Sequence, residues 1–231
     1  MHKLKELRYT FDMKYLIAIF KGILAGASIA IGGFLFTVIT CYVEGELGKI
    51  LGAILFPIGL SIVCYLKFFL FTGKIGLVFE AKQNKDFYIN LPLMYIGNIL
   101  GSLAIGYMCF GIFRNTELFT RITAIAESKI AFNDYQYYLG FIVKSLITGL
   151  CVYMAVKSFG LCKNRIIGTI LIFVFIGLFV YLGGDHCVAN MYYFSFANKW
   201  VGYAFLNVAL ATICNSLGTL PGVLLFKSIK K

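Results

Sequence analysis

An aspartate and a histidine stand side by side in an apolar stretch of the chain, as residues 185 and 186. The stretch reads Y-L-G-G-D-H-C-V-A-N-M-Y over residues 181–192, and the only other histidine is His2. A histidine side chain donates and accepts hydrogen bonds and exchanges a proton near physiological pH. Ionisable groups within membrane-like apolar sequence are costly and mark functional sites. His186 is therefore the first candidate site residue, and Asp185 is expected to orient it or to end the helix there.

Thr72 and Asn190 are the next candidates, because each lies near a glycine-containing interruption of apolar sequence. Thr72 belongs to L-K-F-F-L-F-T-G-K-I-G over residues 66–76, where its hydroxyl either bonds to a passing solute or caps the loop. Asn190 either caps the helix that resumes after His186 or bonds across to the fourth span. Large apolar side chains near Thr72 either form constrictions that gate by dewetting or pack towards lipid. These are Phe56, Leu60, Leu70 and Phe71.

Two asparagines occur in the same apolar octapeptide, which the chain contains twice. Residues 96–103 read I-G-N-I-L-G-S-L and residues 213–220 read I-C-N-S-L-G-T-L, so both match I-x-N-x-L-G-[ST]-L. Duplicated bundles of this kind place a transport path at the interface between the repeats. The pattern predicts an internal duplication and makes Asn98 and Asn215 candidate pore residues.

The composition indicates an integral membrane protein. Hydrophobic residues make up 60% of the chain and charged residues 13%, against roughly 45–50% and about 25% in soluble domains. The seven cysteines include no C-x-x-C pair, so they are interpreted as small buried hydrophobes. No metal site or cofactor is expected.

Six spans can be drawn, since each needs ~20 mainly apolar residues. All are predicted to be α-helices, in two inverted three-helix repeats with an aquaporin-like arrangement. The repeats cover about 16–113 and 135–226 of a single channel domain, 1–231. Breaks are expected in the second and fifth helices, near 67–76 and 183–188, where glycines and ionisable groups fall in mid-span. The six spans run roughly over 16–43, 51–79, 88–113, 135–160, 166–196 and 200–226.

The net charge of +11 lies at the chain ends and in loops. A basic protein can bind nucleic acid, but basic residues that flank membrane spans are typical of cytoplasmic loops. We therefore expect no nucleic-acid partner, a place in the plasma membrane lipid bilayer, and both termini in the cytoplasm.

Three motifs resemble those of the formate/nitrite transporter family, which also contains hydrosulfide channels. They are L-F-T-G at 70–73, Y-I-G-N-I-L-G at 95–101 and G-G-D-H-C-V-A-N-M-Y at 183–192. The resemblance implies a homopentamer with one narrow pore in each protomer. It also implies passage of small monovalent anions that are protonated in transit.

The same resemblance implies roles for individual residues. His186 is the central pore histidine, Thr72 lies in the adjoining loop, and Asn190 matches the asparagine of the fifth-span motif. Asp185 stands where the family usually has glutamate. The cytoplasmic constriction matches Phe71, Leu60 and Val152, and the periplasmic one matches Phe56 and Phe179.

One expected lysine is missing from its usual place. The family carries a lysine near the start of the fourth span that attracts the anion, and ungapped counting from His186 puts Asn133 there. Lys129 is the first substitute, four residues earlier and about one helical turn away. Lys144 is the second, and outright loss of this lysine is the third possibility.

Three functions follow from these residues. The first is a channel or transporter for formate, nitrite or hydrosulfide, in which the anion is protonated near His186. The second is a membrane-embedded enzyme that uses His186 and Asp185 for acid–base work, although no nucleophile motif accompanies them. The third is a cation channel or a structural protein, and the spans carry no acidic ring that would favour cations. The sequence names neither the anion nor the choice between channel and proton symport.

Overall fold

The computed structural model describes residues 2–80, 83–132 and 134–229, with side chains from residue 13 onward. Within these ranges the chain is helical and contains no strand. The helices are α1 (His2–Tyr42), α2 (Gly45–Leu55), α3 (Ile58–Tyr65), α4 (Phe71–Lys74), α5 (Leu77–Glu80), α6 (Lys85–Phe113), α7 (Glu117–Ser128), α8 (Tyr135–Leu161), α9 (Arg165–Tyr181), α10 (Cys187–Phe196), α11 (Gly202–Leu217) and α12 (Leu220–Ile229).

Five helical stretches among these residues are long and apolar enough to cross a membrane, which confirms the predicted all-α membrane protein. Six had been predicted. The difference lies at 166–196, where α9 and α10 are separate helices and α9 has 17 residues. The stretch predicted over 51–79 begins earlier, at Gly45, and ends at Tyr65. The five stretches are Met13–Tyr42, Gly45–Tyr65, Lys85–Phe113, Tyr135–Leu161 and Gly202–Ile229.

Two helices end in the same way, at what we call the first interruption (residues 66–70) and the second interruption (182–186). Lys67 and Gly183 have positive φ, 55° and 68°, just beyond α3 and α9. The next amide donates back into each helix: Phe68 to the Val63 carbonyl at 3.0 Å, and Gly184 to the Phe179 carbonyl at 2.8 Å. This left-handed residue with its backward bond is the Schellman ending of a helix.

The first interruption is shorter than the break predicted at 67–76, because α4 resumes at Phe71. The asparagine of the first octapeptide holds this point. Asn98 Oδ1 accepts from the Phe71 amide at 2.8 Å, and its Nδ2 donates to the carbonyls of Phe69 and Gly22 at 2.8 and 2.9 Å. One fully buried amide thus satisfies backbone groups that neither helix can reach.

The second asparagine makes the same set of bonds at the second interruption. Asn215 Oδ1 accepts from the Cys187 amide at 3.0 Å, and its Nδ2 donates to the carbonyls of Asp185 and Ser145, both at 2.9 Å. By these bonds Phe69 of the first interruption corresponds to Asp185 of the second, and Phe71 corresponds to Cys187. We call Asn98 and Asn215 the clamp asparagines.

Close packing of two helix pairs brings the clamps into place. A Cβ at Gly26 of α1 would lie 2.2 Å from the Asn98 carbonyl oxygen of α6. A Cβ at Gly149 of α8 would lie 2.1 Å from the Asn215 carbonyl oxygen of α11. Only glycine permits this approach, and it permits it in both pairs.

The helix α7 was not predicted. It connects α6 to α8 outside the predicted spans, and its buried residues Leu118, Ile122, Ile125 and Ala126 recur at helical spacing. This amphipathic pattern was available in the sequence. The helix matters for the site because it ends at Ser128, immediately before Lys129.

We expect that Asn98→Ala and Asn215→Ala each lower the melting temperature of the detergent-solubilised protein sharply. Each change leaves buried backbone groups without partners, at roughly 1–3 kcal/mol per group. Asn90→Ala is the matched control on α6, because its side-chain oxygen has no partner among the described residues. Clamp variants that melt with the wild type would show that the clamps do not hold the interruptions.

Candidate functional site

The two interruptions meet at a contact between Thr72 and His186. Thr72 Oγ1 lies 2.8 Å from His186 Nε2, and both residues are almost fully buried, with 1% and 2% of their surface exposed. Thr72 lies just after the first interruption, in α4, and His186 is the last residue of the second interruption, just before α10. The sequence placed these side chains in separate breaks, and the fold joins them in one hydrogen bond.

The other ring nitrogen of His186 caps α10. His186 Nδ1 accepts from the Ala189 amide at 3.2 Å. Because Nδ1 is the acceptor, the neutral ring carries its proton on Nε2 and donates it to Thr72 Oγ1. The Thr72 hydroxyl then keeps its own hydrogen for another acceptor. The cap predicted as one role for Asn190 thus belongs to His186.

Asp185 is part of an ion pair, not of an Asp-His pair. Lys129 Nζ lies 2.9 Å from Asp185 Oδ1 and 3.3 Å from the Gly184 carbonyl oxygen. Their side chains are 12% and 7% exposed. Lys129, the first substitute for the expected lysine, therefore lies beside the residue that precedes His186. Asn133 lies outside the described residues.

Asn190 and Asn207 complete this network. Asn190 Nδ2 donates to Asp185 Oδ1 at 2.9 Å and to Asn207 Oδ1 at 2.7 Å. Asn207 Nδ2 in turn donates to the Lys129 carbonyl at 2.7 Å, so Asn190 reaches α11 rather than the fourth span. Sequence reasoning missed Asn207, although a fully buried asparagine in the apolar helix that also carries Asn215 was a visible signal.

A cavity of about 520 Å³ opens onto His186, and we call it the first cavity. Phe56 and Phe179 line it with their rings 6.0 Å apart, and the Phe179 ring stacks 6.1 Å from the His186 ring. The pair predicted as the periplasmic constriction thus lies directly against the histidine. Four cations line the same cavity: Lys49, Arg121, Lys129 and Lys144. The Lys144 side chain is exposed and forms no ion pair among the described residues.

A second cavity of about 560 Å³ lies towards the opposite end of α8. Gln136–Lys144 of α8 contributes to the first cavity, and Tyr153–Leu161 contributes to this second cavity. Leu70 lines it, whereas the Phe71 ring packs 4.5 Å from the Tyr95 ring. Leu60 and Val152 line neither cavity and are buried in the hydrophobic core, with 1% and 2% exposed.

Among the described residues, no three histidine, cysteine or carboxylate side chains form a group that could hold a metal ion. The polar atoms at the Thr72–His186 contact are hydrogen-bond donors and acceptors. The arrangement can therefore donate hydrogen bonds to a small polar solute that reaches His186 from the first cavity.

A family model described as "Formate/nitrite transporter" matches residues 4–228. The chain is 29% identical over 214 residues to the "Uncharacterized transporter YrhG" of Bacillus subtilis, covering 85% of this chain and 78% of that protein. It is 26% identical over 195 residues to the "Formate channel FocA" of Haemophilus influenzae, covering 80% and 67%.

Two solved structures share the fold. One is a "Pentameric formate channel with formate bound", with a TM-score of 0.73 and 20% identity over 93% of this chain and 95% of that one. The other is an "FNT family ion channel", with a TM-score of 0.77 and 17% identity over 94% and 96%.

We expect Asp185→Asn and Lys129→Met each to lower the melting temperature more than the double variant does. Each single change leaves an unpaired charge or an unmatched polar group in a buried site, at roughly 3–5 kcal/mol. Glu46→Gln is the control, because its ion pair with Lys49 at 2.6 Å is exposed. If the double variant lowered the melting temperature by the sum of the two single losses, the two residues would not be coupled.

Proposed function

The chain belongs to the formate/nitrite transporter family, and we propose that it is a channel or transporter for small monovalent anions such as formate, nitrite or hydrosulfide. One observation carries the proposal: His186, hydrogen-bonded to Thr72, lines a cavity that four cations also line. The cations would concentrate an anion at the mouth, and the contact offers it donors beyond the reach of bulk water.

The path between the two cavities favours a neutral solute. A charged anion loses its hydration in a narrow apolar passage, at a high cost in free energy. The same loss of water raises the proton affinity of a weak-acid anion. We propose that the anion takes up a proton as it approaches His186 and crosses as the neutral acid.

His186 acts in this scheme as a neutral donor. Protonating Nδ1 would break the hydrogen bond that caps α10 at Ala189. The proton of the acid therefore comes from hydronium in the aqueous solution that reaches the first cavity. The Nε2–H and the Thr72 hydroxyl hold the neutral acid as it passes. Lys129 is positioned by Asp185 to draw the anion towards this point.

The architecture we propose is six spans in two inverted repeats, about 16–113 and 135–226, within one channel domain. The support is the matched pair of interruptions, with Schellman endings at Lys67 and Gly183 and clamps at Asn98 and Asn215. Helices α2 and α3 would form the first part of one broken span, and α4 and α5 its second part. Helices α9 and α10 would be the two parts of the other.

The assembly we propose is a homopentamer with a pore in each protomer, in the plasma membrane, with both termini in the cytoplasm. The shared fold with a pentameric channel supports the assembly, and the basic residues near both chain ends support the orientation. Native mass measurement in detergent would give five chains.

The alternatives receive less support. An enzyme would need Asp185 to act with His186, but Asp185 Oδ1 is engaged by Lys129 and Asn190. In a cation channel, the four cations that line the first cavity would repel the transported ion. Uptake of formate, nitrite and hydrosulfide into proteoliposomes, measured across pH, tests the proposal and ranks the anions.

We expect His186→Phe to lower anion flux about 5- to 150-fold, the effect of losing a hydrogen bond worth ~1–3 kcal/mol. His186→Asn separates transport from structure, because asparagine is a good helix cap but is too short to place a donor at the Nε2 position. We expect this variant to stay folded and to lose flux. Wild-type flux in both folded variants would leave His186 a structural residue only.

We expect Lys129→Ala to slow flux more than Lys144→Ala, because only Lys129 is paired beside the histidine. Initial rates at several anion concentrations would show the difference as a higher half-saturating concentration. Equal, unchanged rates in both variants would place the attracting charge elsewhere.

We expect wild-type flux to rise as external pH falls towards the pKa of the transported acid, because the neutral form becomes easier to make. The measurement is the initial uptake rate at fixed total anion concentration over a series of pH values. The His186→Phe protein should retain a smaller fraction of this rise. A wild-type rate that is flat with pH would remove the neutral-acid step.

A further inference from the structure

The second cavity contains lysines that pair with no carboxylate among the described residues. Lys67 and Lys74 line it, and neither forms an ion pair among the described residues. The one carboxylate in the lining, Glu80, is already engaged, with Lys157 Nζ at 2.6 Å and the Tyr153 hydroxyl at 3.0 Å. The cavity therefore keeps a net positive charge.

The clamp bonds show how the two interruptions differ. Phe69 and Asp185 are matched, because their carbonyls accept the equivalent bonds from Asn98 and Asn215. At the second interruption the Asp185 carboxylate forms an ion pair with Lys129. At the first, the ammonium groups of Lys21 and Lys74 lie over the Phe69 ring, 5.0 and 5.1 Å from its centroid. A ring attracts ammonium groups without cancelling their charge, so they remain available to an anion.

The backbone of Lys67 adds an independent observation. It adopts the left-handed conformation that Gly183 adopts at the matching position of the second interruption. Glycine takes this conformation easily, whereas a lysine does so at a cost in free energy. Such strained residues cluster at functional sites. Here the strained residue carries an exposed charge on the lining of the cavity.

We propose that the second cavity is a binding site for small oxyanions in their charged form, held by Lys67 and Lys74. A doubly charged oxyanion binds there more tightly than a singly charged one, because each lysine attracts it twice as strongly. It cannot become neutral by taking up one proton, so it does not cross. It then plugs the pore from this side, and only this last consequence rests on the proposed transport function.

The helices near the two ends of the chain indicate which side of the membrane the second cavity faces. Lys14 of α1 pairs with Asp86, and Lys227 of α12 donates to the Phe79 carbonyl at 2.8 Å, next to Glu80 of the cavity lining. Divalent oxyanions in the compartment that holds the chain ends are therefore the ones that reach the site.

Sulfate is the probe, because it keeps two charges at every pH used for transport. Titration calorimetry of sulfate into the detergent-solubilised protein, at constant ionic strength, reads binding without any flux. We expect saturable heat in the wild type and a sulfate dissociation constant roughly tenfold higher in Lys67→Gly. Lys67→Arg keeps the positive charge and should bind sulfate about as tightly as the wild type. Lys163→Ala, at an exposed lysine outside the cavity lining, should leave it unchanged.

Lys67→Gly also keeps the fold, since glycine suits the left-handed position, and its melting temperature verifies this. In proteoliposomes, sulfate on the side of the chain ends should lower the wild-type rate relative to an equal ionic strength of chloride. Lys67→Gly should relieve this block. The proposed site would be refuted if the wild type bound no sulfate, or if neither Lys67→Gly nor Lys74→Ala weakened sulfate binding. Protein that binds sulfate but transports none of the three anions would refute the proposed function and leave the site standing.

Discussion

Backbone amides and carbonyls that leave a helix inside a membrane must find partners, because lipid supplies none. This requirement governs the centre of the molecule. At each interruption one asparagine accepts from the first amide of the resumed helix and donates to two carbonyls. With the clamps in place, non-helical backbone can lie in the protein interior, and the side chains at Thr72 and His186 can meet.

Because both interruptions have the same clamp bonds, their residues can be compared position by position. The backbone bonds are repeated, but the side chains are not. The second interruption carries Asp185 and His186, with Lys129 in an ion pair with Asp185. The first carries Phe69 and Leu70, with lysines that form no ion pair in the described part of the chain. The second interruption thus provides directed hydrogen bonds and the first provides lysines and apolar surface, while cations line both cavities.

Sequence reasoning located the polar residues better than it located their partners. The repeated octapeptide revealed Asn98 and Asn215, because a polar residue repeated in apolar sequence is conspicuous. It suggested that they face the pore, whereas the bonds show amides fully used by the backbone. Asn207 was overlooked because it belongs to no repeat. The sequence favoured Lys129 as the substitute for the expected lysine, but it could not predict the contact with Asp185. That contact depends on where α7 ends, and α7 was not predicted. The Schellman ending at Gly183 has a local signal, the glycine itself. The one at Lys67 has none, because lysine rarely adopts a positive φ.

The central claim is that the anion crosses the Thr72–His186 contact as a neutral acid. The most direct test is the dependence of formate release from proteoliposomes on membrane potential, set by a potassium gradient with valinomycin at fixed pH. Moving one charge across the membrane is worth about 2.3 kcal/mol per 100 mV. A neutral acid carries no charge, so the release rate should stay constant as the potential is varied in size and sign. A rate that follows the potential, with the net movement of negative charge, would contradict the account.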